Sequence, residues 1–349
     1  MKAAVFEDIE KLVVKEVPDP VIGPDDALMK VHACAVCGSD IRIFHHGNSR
    51  VCPPAILGHE SSGEIVAIGK NVTGFQPGDR VAVGSDVPCG ECEACRAGHG
   101  NNCRINYAMG YQFQGSFAEY LPLNKTTLMY GPVHKIPGHM SWDEAALAEP
   151  LACVLNAVEF AGVRLGDTVV VMGVGPIGCM IIPVALMSGA AKVIAINRSP
   201  GRLGFAKKKG ADTLICSSEE DQIARVLEVT GGAGADVIFT ANPSPESHAD
   251  ALKMAGNRGR VNLFGGLPAG TKVDIDTNLI HYKELTVTGA HGSAPRHHRQ
   301  AIGLIASGKI DIASFISHRF PLNETGEAFK TAESKQGLRV IVKPFPDQV

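Results

Sequence analysis

Three groups of residues in this chain have types and spacings that can do chemistry. The densest is Cys89-x2-Cys92-x2-Cys95-x7-Cys103. Four thiolates this close suit a closed, tetrahedral zinc site that clips a loop together and leaves no position for a substrate, so its predicted role is structural. The second set is scattered: Cys37 in Cys37-Gly38-Ser39-Asp40, the pair His59-Glu60 after Gly58, and Glu149 in Ala148-Glu149-Pro150. If these meet, they supply a thiolate, an imidazole and carboxylates to a zinc ion with one open position, where the metal acts as a Lewis acid on a substrate oxygen. Spacing alone does not bring them together. The third group is Gly173-Val174-Gly175-Pro176-Ile177-Gly178. Its glycines permit a tight turn, a close approach of backbone to a pyrophosphate, and close packing of the following helix, whose N-terminal N–H groups face the phosphates.

The elements that must carry these groups fall into three parts. Residues 1–150 show short alternating runs broken by Gly and Pro, at 28–33, 63–69 and 79–83, which predict a β-rich domain of barrel type. Over 151–290 apolar, β-branched runs at 168–172, 192–196, 236–240, 260–264 and 285–288 alternate with helix-length segments. Strands that are apolar throughout and separated by helices imply a doubly wound parallel sheet, an α/β arrangement covered on both faces. The glycine fingerprint sits between such a strand and a helix, as its chemistry requires. Pro183 within that helix predicts a local kink. Residues 291–349 form a return segment with a helix over 300–308 and a strand near 338–342.

At the end of the second strand of the middle part stands Asn197, followed by Arg198 and, one helical turn on, Arg202. An acid there would bind the ribose 2′-hydroxyl of NAD; a neutral residue beside arginines accommodates the 2′-phosphate of NADP. The reading favours NADP(H), with NAD the alternative if Arg198 only faces solvent.

These motifs, in this order, resemble the zinc-containing medium-chain alcohol dehydrogenases, above all the polyol (sorbitol-type) and threonine dehydrogenase branch. The likeness runs nearly end to end, from Met1-Lys2-Ala3-Ala4 to Gly337-Leu338-Arg339-Val340, and includes Gly58-His59-Glu60 with Gly63 and Val72 with Gly78-Asp79-Arg80-Val81. The resemblance implies a GroES-like catalytic domain formed by the first and third parts, around a Rossmann cofactor domain. It implies two zinc ions per chain, the catalytic one held by Cys37 and His59 with Glu149 as third ligand and Glu60 able to bind or exchange. It also implies that Ser39 passes the proton of the reacting hydroxyl, and that Arg339 reaches the cofactor pyrophosphate. Ser39 read as a residue sequence alone is equally a backbone-capping serine. The family's outer relay histidine is replaced by Arg42, which accepts no proton near neutral pH; His45 and His46 stand nearby.

The polyol enzymes' substrate-contacting arginine has no counterpart in the stretch from Gly289 to Pro295, so sorbitol itself is in doubt. Arg296, His297, His298 and Arg299 begin a helix, where cations oppose the dipole; they form a subsite for a sugar phosphate, or else a solvated basic patch or a subunit contact. The expected activity is hydride transfer between NAD(P) and a secondary alcohol or ketone of a polyol, sugar or sugar phosphate. L-threonine-type amino-alcohol oxidation and a non-catalytic dinucleotide-binding relative are the alternatives. Lys+Arg 33 against Asp+Glu 36, a net charge of -3, argues against nucleic acid or an anionic membrane as partner. The N-terminal stretch lacks the basic end and apolar core of a secretory signal, so a cytoplasmic location is expected, with a homo-oligomer (a tetramer or a dimer) from the resemblance. Ten cysteines do not make a disulfide scaffold in a chain of 349 residues able to bury its own core; Cys34, Cys52, Cys153, Cys179 and Cys216 read as ordinary thiols.

Overall fold

A computed structural model describes residues 1–345 and divides into two units: Met1–Ala152 with the segment from Gly292 onward, and Cys153–His291. In the first unit a seven-stranded, largely antiparallel sheet is built around the long strand Ala27–Ala35. That strand pairs with Glu60–Ile68 on one side, with Arg339–Lys343 from the C-terminal segment on the other, and additionally with Tyr120–Leu123. A smaller sheet joins Lys11–Glu16, Lys2–Asp8 and Ala55–Ile56. Alternation in these strands drives Met29, Val31, Ile65, Val81, Leu121 and Val342 into one core with Phe6 and Phe117.

Two pairings matter for chemistry. Ala35 lies opposite Glu60, and Ile341 lies opposite the same Ala35. The chain segments entering or leaving these three strands therefore converge at one edge. Cys37 follows Ala35, His59 precedes Glu60, and Arg339 begins its strand.

The second unit is a six-stranded sheet in the order Thr213–Cys216, Lys192–Asn197, Thr168–Met172, Ala235–Thr240, Ala255–Leu263, Thr286–Gly289, with every pair parallel. That order, reversing at the first strand, is the doubly wound dinucleotide fold. Val169, Val170, Val171, Val193 and Ile194 are fully buried, as a central strand covered on both faces demands. The strand Thr168–Met172 agrees with the run read from the sequence, and the helix Pro176–Met187 continues through Pro183. The strand Thr213–Cys216 is short and begins with a polar residue, so no long apolar run in the sequence marks it. Among the described residues no helix is long and apolar enough to cross a membrane.

Candidate active site, thiolate loop and dinucleotide loop

Cys37 precedes the helix Gly38–His46, and its backbone N–H donates to the carboxylate of Asp40 at 2.9 Å, which fixes the helix start. Asp40 is fully buried. Its other oxygen accepts from the Gly58 N–H at 3.3 Å and lies 3.3 Å from His59 Nδ1. One carboxylate thus ties the Cys37 turn to the His59 segment and stands beside the imidazole as its charge partner. Asp40 carried no role in the sequence reading, although an acid three residues after the cysteine on a helix start was visible as a capping signal.

Ligand atoms of Cys37, His59 and Glu60 all lie within 4.8 Å of one another. Burial pushes the Cys37 thiol up, but the hydrogen bond and charge of His59 pull it down to a net value of about 7. Burial lowers the His59 imidazole, and Asp40 and Cys37 more than reverse this, holding it well above its ordinary value. The Glu60 carboxylate is fully buried, pairs with the guanidinium of Arg339, and accepts no hydrogen bond at either oxygen. A buried carboxylate without hydrogen bonds is costly unless cations surround it. A thiolate, an imidazole and such a carboxylate at this separation fit a zinc ion.

Glu149 is outside this group. It is buried at the first turn of the helix Ala148–Ala161. A methyl group on Gly84 would sit 3.3 Å from its Cγ and 3.2 Å from Cδ2 of His298, so Glu149 packs beside Gly84 and His298. Arg339 is buried and pairs with Glu60, because its strand pairs with Ala27–Ala35 and places it level with the end of that strand.

Ser39 is half-buried, and its Oγ lies 3.3 Å from His59 Nε2. The Tyr111 ring stands 6.0 Å from the His59 ring. Burial raises the Tyr111 phenol, so it stays protonated at neutral pH. No sequence signal marked Tyr111. Arg42 is exposed, and His45 is tied by its two ring nitrogens to Glu10 at 2.6 Å and Glu333 at 3.0 Å. Of the basic run, His297 and His298 are buried and only Arg296 and Arg299 are exposed, so the four do not form one surface cluster.

The four loop cysteines also converge. Their sulfurs lie within 4.8 Å of one another, with Cys92 to Cys95 at 3.4 Å, Cys89 to Cys95 at 3.9 Å and Cys92 to Cys103 at 4.0 Å. All are free thiols. A tetrahedron of Zn–S bonds of roughly 2.3 Å spaces its sulfurs about 3.8 Å apart. Backbone N–H groups of Cys89, Glu91 and Cys92 point at these sulfurs at 3.3 to 3.5 Å. N–H groups of Arg104 and Cys95 draw the Cys92 thiol down to about 6, whereas burial and the Cys92 sulfur push Cys95 up to about 12. Four thiolates so placed repel one another, and a divalent cation is the partner that lets all four ionise together.

In the second unit the glycine loop follows the strand Thr168–Met172. Gly173 has φ +89, and a Cβ on Gly178 would fall 2.0 Å from the Gly173 carbonyl, so that contact admits no side chain. Pro176 and Ile177 open the helix with Gly175 as N-cap. Asn197 Oδ1 accepts from the Val174 N–H at 3.4 Å, and its Nδ2 donates to the Ser199 carbonyl at 2.8 Å. A Cβ on Gly175 would meet Nη1 of Arg202 at 3.3 Å, placing that guanidinium over the loop. Arg198 is exposed.

Known proteins carry the same plan. Residues 23–136 match the alcohol dehydrogenase GroES-like domain and residues 176–307 the zinc-binding dehydrogenase domain. The chain is 37% identical over 332 residues to an L-threonine 3-dehydrogenase of Bacillus licheniformis, covering 94% of both. It is 33% identical to a sorbitol dehydrogenase of Bacillus subtilis, covering 99% of this chain and 97% of that one. A zinc-binding dehydrogenase from Sinorhizobium meliloti, solved bound to NADP, superposes with a TM-score of 0.91 at 33% identity, over 98% and 99% of the two chains. The chain belongs to the zinc-containing medium-chain alcohol dehydrogenases, in the branch that holds the polyol and threonine dehydrogenases. It is therefore an NAD(P)-dependent oxidoreductase with a GroES-like domain and a Rossmann domain.

Proposed function

We propose that the protein oxidises a secondary hydroxyl of a small polar polyol, sugar or sugar phosphate, with Cys37, His59 and Glu60 as ligands of the catalytic zinc. The convergence of those three side chains within 4.8 Å carries the proposal. A zinc ion bound there would supply Lewis acidity toward the reacting oxygen, and a bound dinucleotide would supply the hydride acceptor. Asp40 holds His59 in one orientation, so the ligand set is arranged before substrate arrives. Ser39 Oγ, 3.3 Å from His59 Nε2, accepts the substrate hydroxyl proton as it passes its own hydroxyl proton on to water or the cofactor ribose. That proton then leaves without Arg42, which carries no lone pair for it, and without His45, whose nitrogens are occupied by Glu10 and Glu333.

Cys89, Cys92, Cys95 and Cys103 hold a second, structural zinc. The dinucleotide phosphates lie along Gly173, Gly175, Pro176, Ile177 and Gly178. NADP(H) is the favoured cofactor, with Asn197, Arg198 and Arg202 around the 2′-phosphate; the NADP-bound Sinorhizobium relative supports this. Oxidation of an amino alcohol of the threonine type is the second reading, favoured by the 37% identity to the Bacillus enzyme. The test is a zinc count followed by a scan of polyols, sugar phosphates and hydroxy amino acids with both dinucleotides. Two zincs per chain and turnover of a vicinal polyol are expected. One zinc, or no turnover of any secondary alcohol, ends the proposal.

A further inference from the structure

Arg50 lies between the helix Gly38–His46 and the strand Ala55–Ile56, and it is half-buried. Its guanidinium carbon sits 5.1 Å from the centroid of the Tyr111 ring. Its hydrogen bonds run through Nη2 alone, to the carbonyl of Asn106 and, at 3.4 Å, to Oε1 of Gln112. Among the described residues no carboxylate lies within ion-pair distance of it, and its Nε and Nη1 donate to no protein acceptor.

Other arginines of the same unit are used differently. Arg319 pairs with Asp143 at 2.6 Å, Arg339 pairs with Glu60, and Arg80 gives its N–H groups to the carbonyls of Pro137, Gly138 and Met140. Arg319 also bonds through one nitrogen only, but of these four it is Arg50 that joins unbonded Nε and Nη1 donors to a face covered by an aromatic ring. A guanidinium in that state retains its full charge and presents a planar pair of donors, the geometry that matches a phosphate or carboxylate.

The ring beneath it leads to the reacting cluster. Tyr111 stands 6.0 Å from the His59 ring, whose Nε2 lies 3.3 Å from Ser39 Oγ. Arg50 covers a face of the ring, and the Asn106 carbonyl and Gln112 hold the guanidinium through Nη2. One aromatic side chain therefore stands between the His59 ring and a guanidinium with no carboxylate partner.

We propose that Arg50 is a specificity-determining residue that receives an anionic group, phosphate or carboxylate, carried on the substrate a few bonds from the reacting carbon. This rests on the zinc alcohol dehydrogenase reading above and narrows its substrate class. A neutral polyol offers Arg50 only ordinary hydrogen bonds, whereas an anion offers charge-assisted ones, roughly twice as strong. The phosphate of a polyol phosphate and the carboxylate of a 2-amino-3-hydroxy acid share this chemistry, and turnover tells them apart.

The experiment compares wild type with Arg50→Gln and Arg50→Lys, each with its zinc and saturated with dinucleotide. Steady-state kinetics are read on a polyol phosphate, on the same polyol unphosphorylated, and on L-threonine. For wild type, one anionic substrate exceeds the neutral polyol in kcat/KM. Arg50→Gln lowers that ratio about tenfold or more, mainly through KM, because a hydrogen bond to a charged group is lost. Arg50→Lys, which keeps the charge without the fork, falls between the two. Preference for the phosphate identifies the anion as phosphate, and preference for threonine identifies it as carboxylate. An unchanged ratio in Arg50→Gln overturns the proposal.

Calorimetric titration of the same dinucleotide-saturated proteins with inorganic phosphate and with acetate gives a readout independent of turnover. Wild type binds at least one of these anions about tenfold more tightly than Arg50→Gln. Equal binding overturns the role of Arg50 even if no alcohol tested is oxidised, a result that by itself would count against the dehydrogenase reading. Thermal unfolding of both variants near the wild-type temperature shows that the comparison is of folded proteins.

Discussion

Asp40 receives two backbone N–H groups, from Cys37 and Gly58, and sits 3.3 Å from His59 Nδ1, all inside the protein. Removing its charge keeps the shape and weakens the hold on the imidazole. Asp40→Asn should reduce catalytic-zinc affinity about 10–100-fold, the usual cost of losing a carboxylate behind a ligating histidine. Competition with a chromogenic chelator measures this, since the four-cysteine site serves as the internal reference. The same titration separates the two glutamates. Glu60→Gln should release the catalytic zinc at lower chelator concentration than Glu149→Gln, because Glu60 stands in the ligand group and Glu149 packs against Gly84 and His298. The reverse order would transfer the third ligand to Glu149 and require that carboxylate to move.

The loop from Cys89 to Cys103 contains only the short helix Glu93–Arg96 and one 3-10 turn at Gly100–Asn102, too little secondary structure to hold itself. Cross-linking of four sulfurs by zinc replaces the missing core. Cys95→Ser should therefore lose one of two zincs, lower the melting temperature by roughly 5 °C or more, and make the loop a site of rapid proteolysis. An unchanged melting temperature with one zinc retained would mean that the metal there contributes little to the fold. This element was legible from sequence because its ligands are local, as was the strand-turn-helix around Gly173, where strand, glycines and helix follow one another directly. The catalytic cluster was less legible. Its geometry depends on Ala35 pairing with Glu60 and Ile341 pairing with Ala35, registers set by whole strands and not by any residue of the site. For the same reason no sequence signal marks the pairing of Arg339 with Glu60, or the places of Tyr111 and Arg50. Spacing in sequence says nothing about which aromatic ring lies over which cation.

At the scale of the molecule, the histidines make stability depend on pH in opposing ways. His134 Nδ1 lies 2.9 Å from Nδ1 of His298, so one ring donates and the other accepts, and both are neutral. Burial, assisted by Arg299, holds His134 down to about 4; burial and the neighbouring His134 hold His298 well below its ordinary value. The unfolded chain protonates both near the ordinary 6.5. Between 6.5 and 4 it binds protons that the folded protein refuses, so this contribution to stability is complete above 6.5 and is lost as pH falls. His45 works the other way. Glu10 and Glu333 raise its value, so its contribution is present below 6.5 and is lost as pH rises through the raised value. Glu7, held at about 2 by Lys11 and Lys15, titrates outside this range. Urea unfolding of the zinc-loaded protein between about pH 7 and pH 5 should show stability falling with pH, at up to ~1.4 kcal/mol per pH unit for each proton taken up. His298→Met removes the buried acceptor and should flatten that slope, while His45→Gln should steepen it. If His298→Met leaves the slope unchanged, the protons enter elsewhere and the buried histidine pair does not govern acid sensitivity.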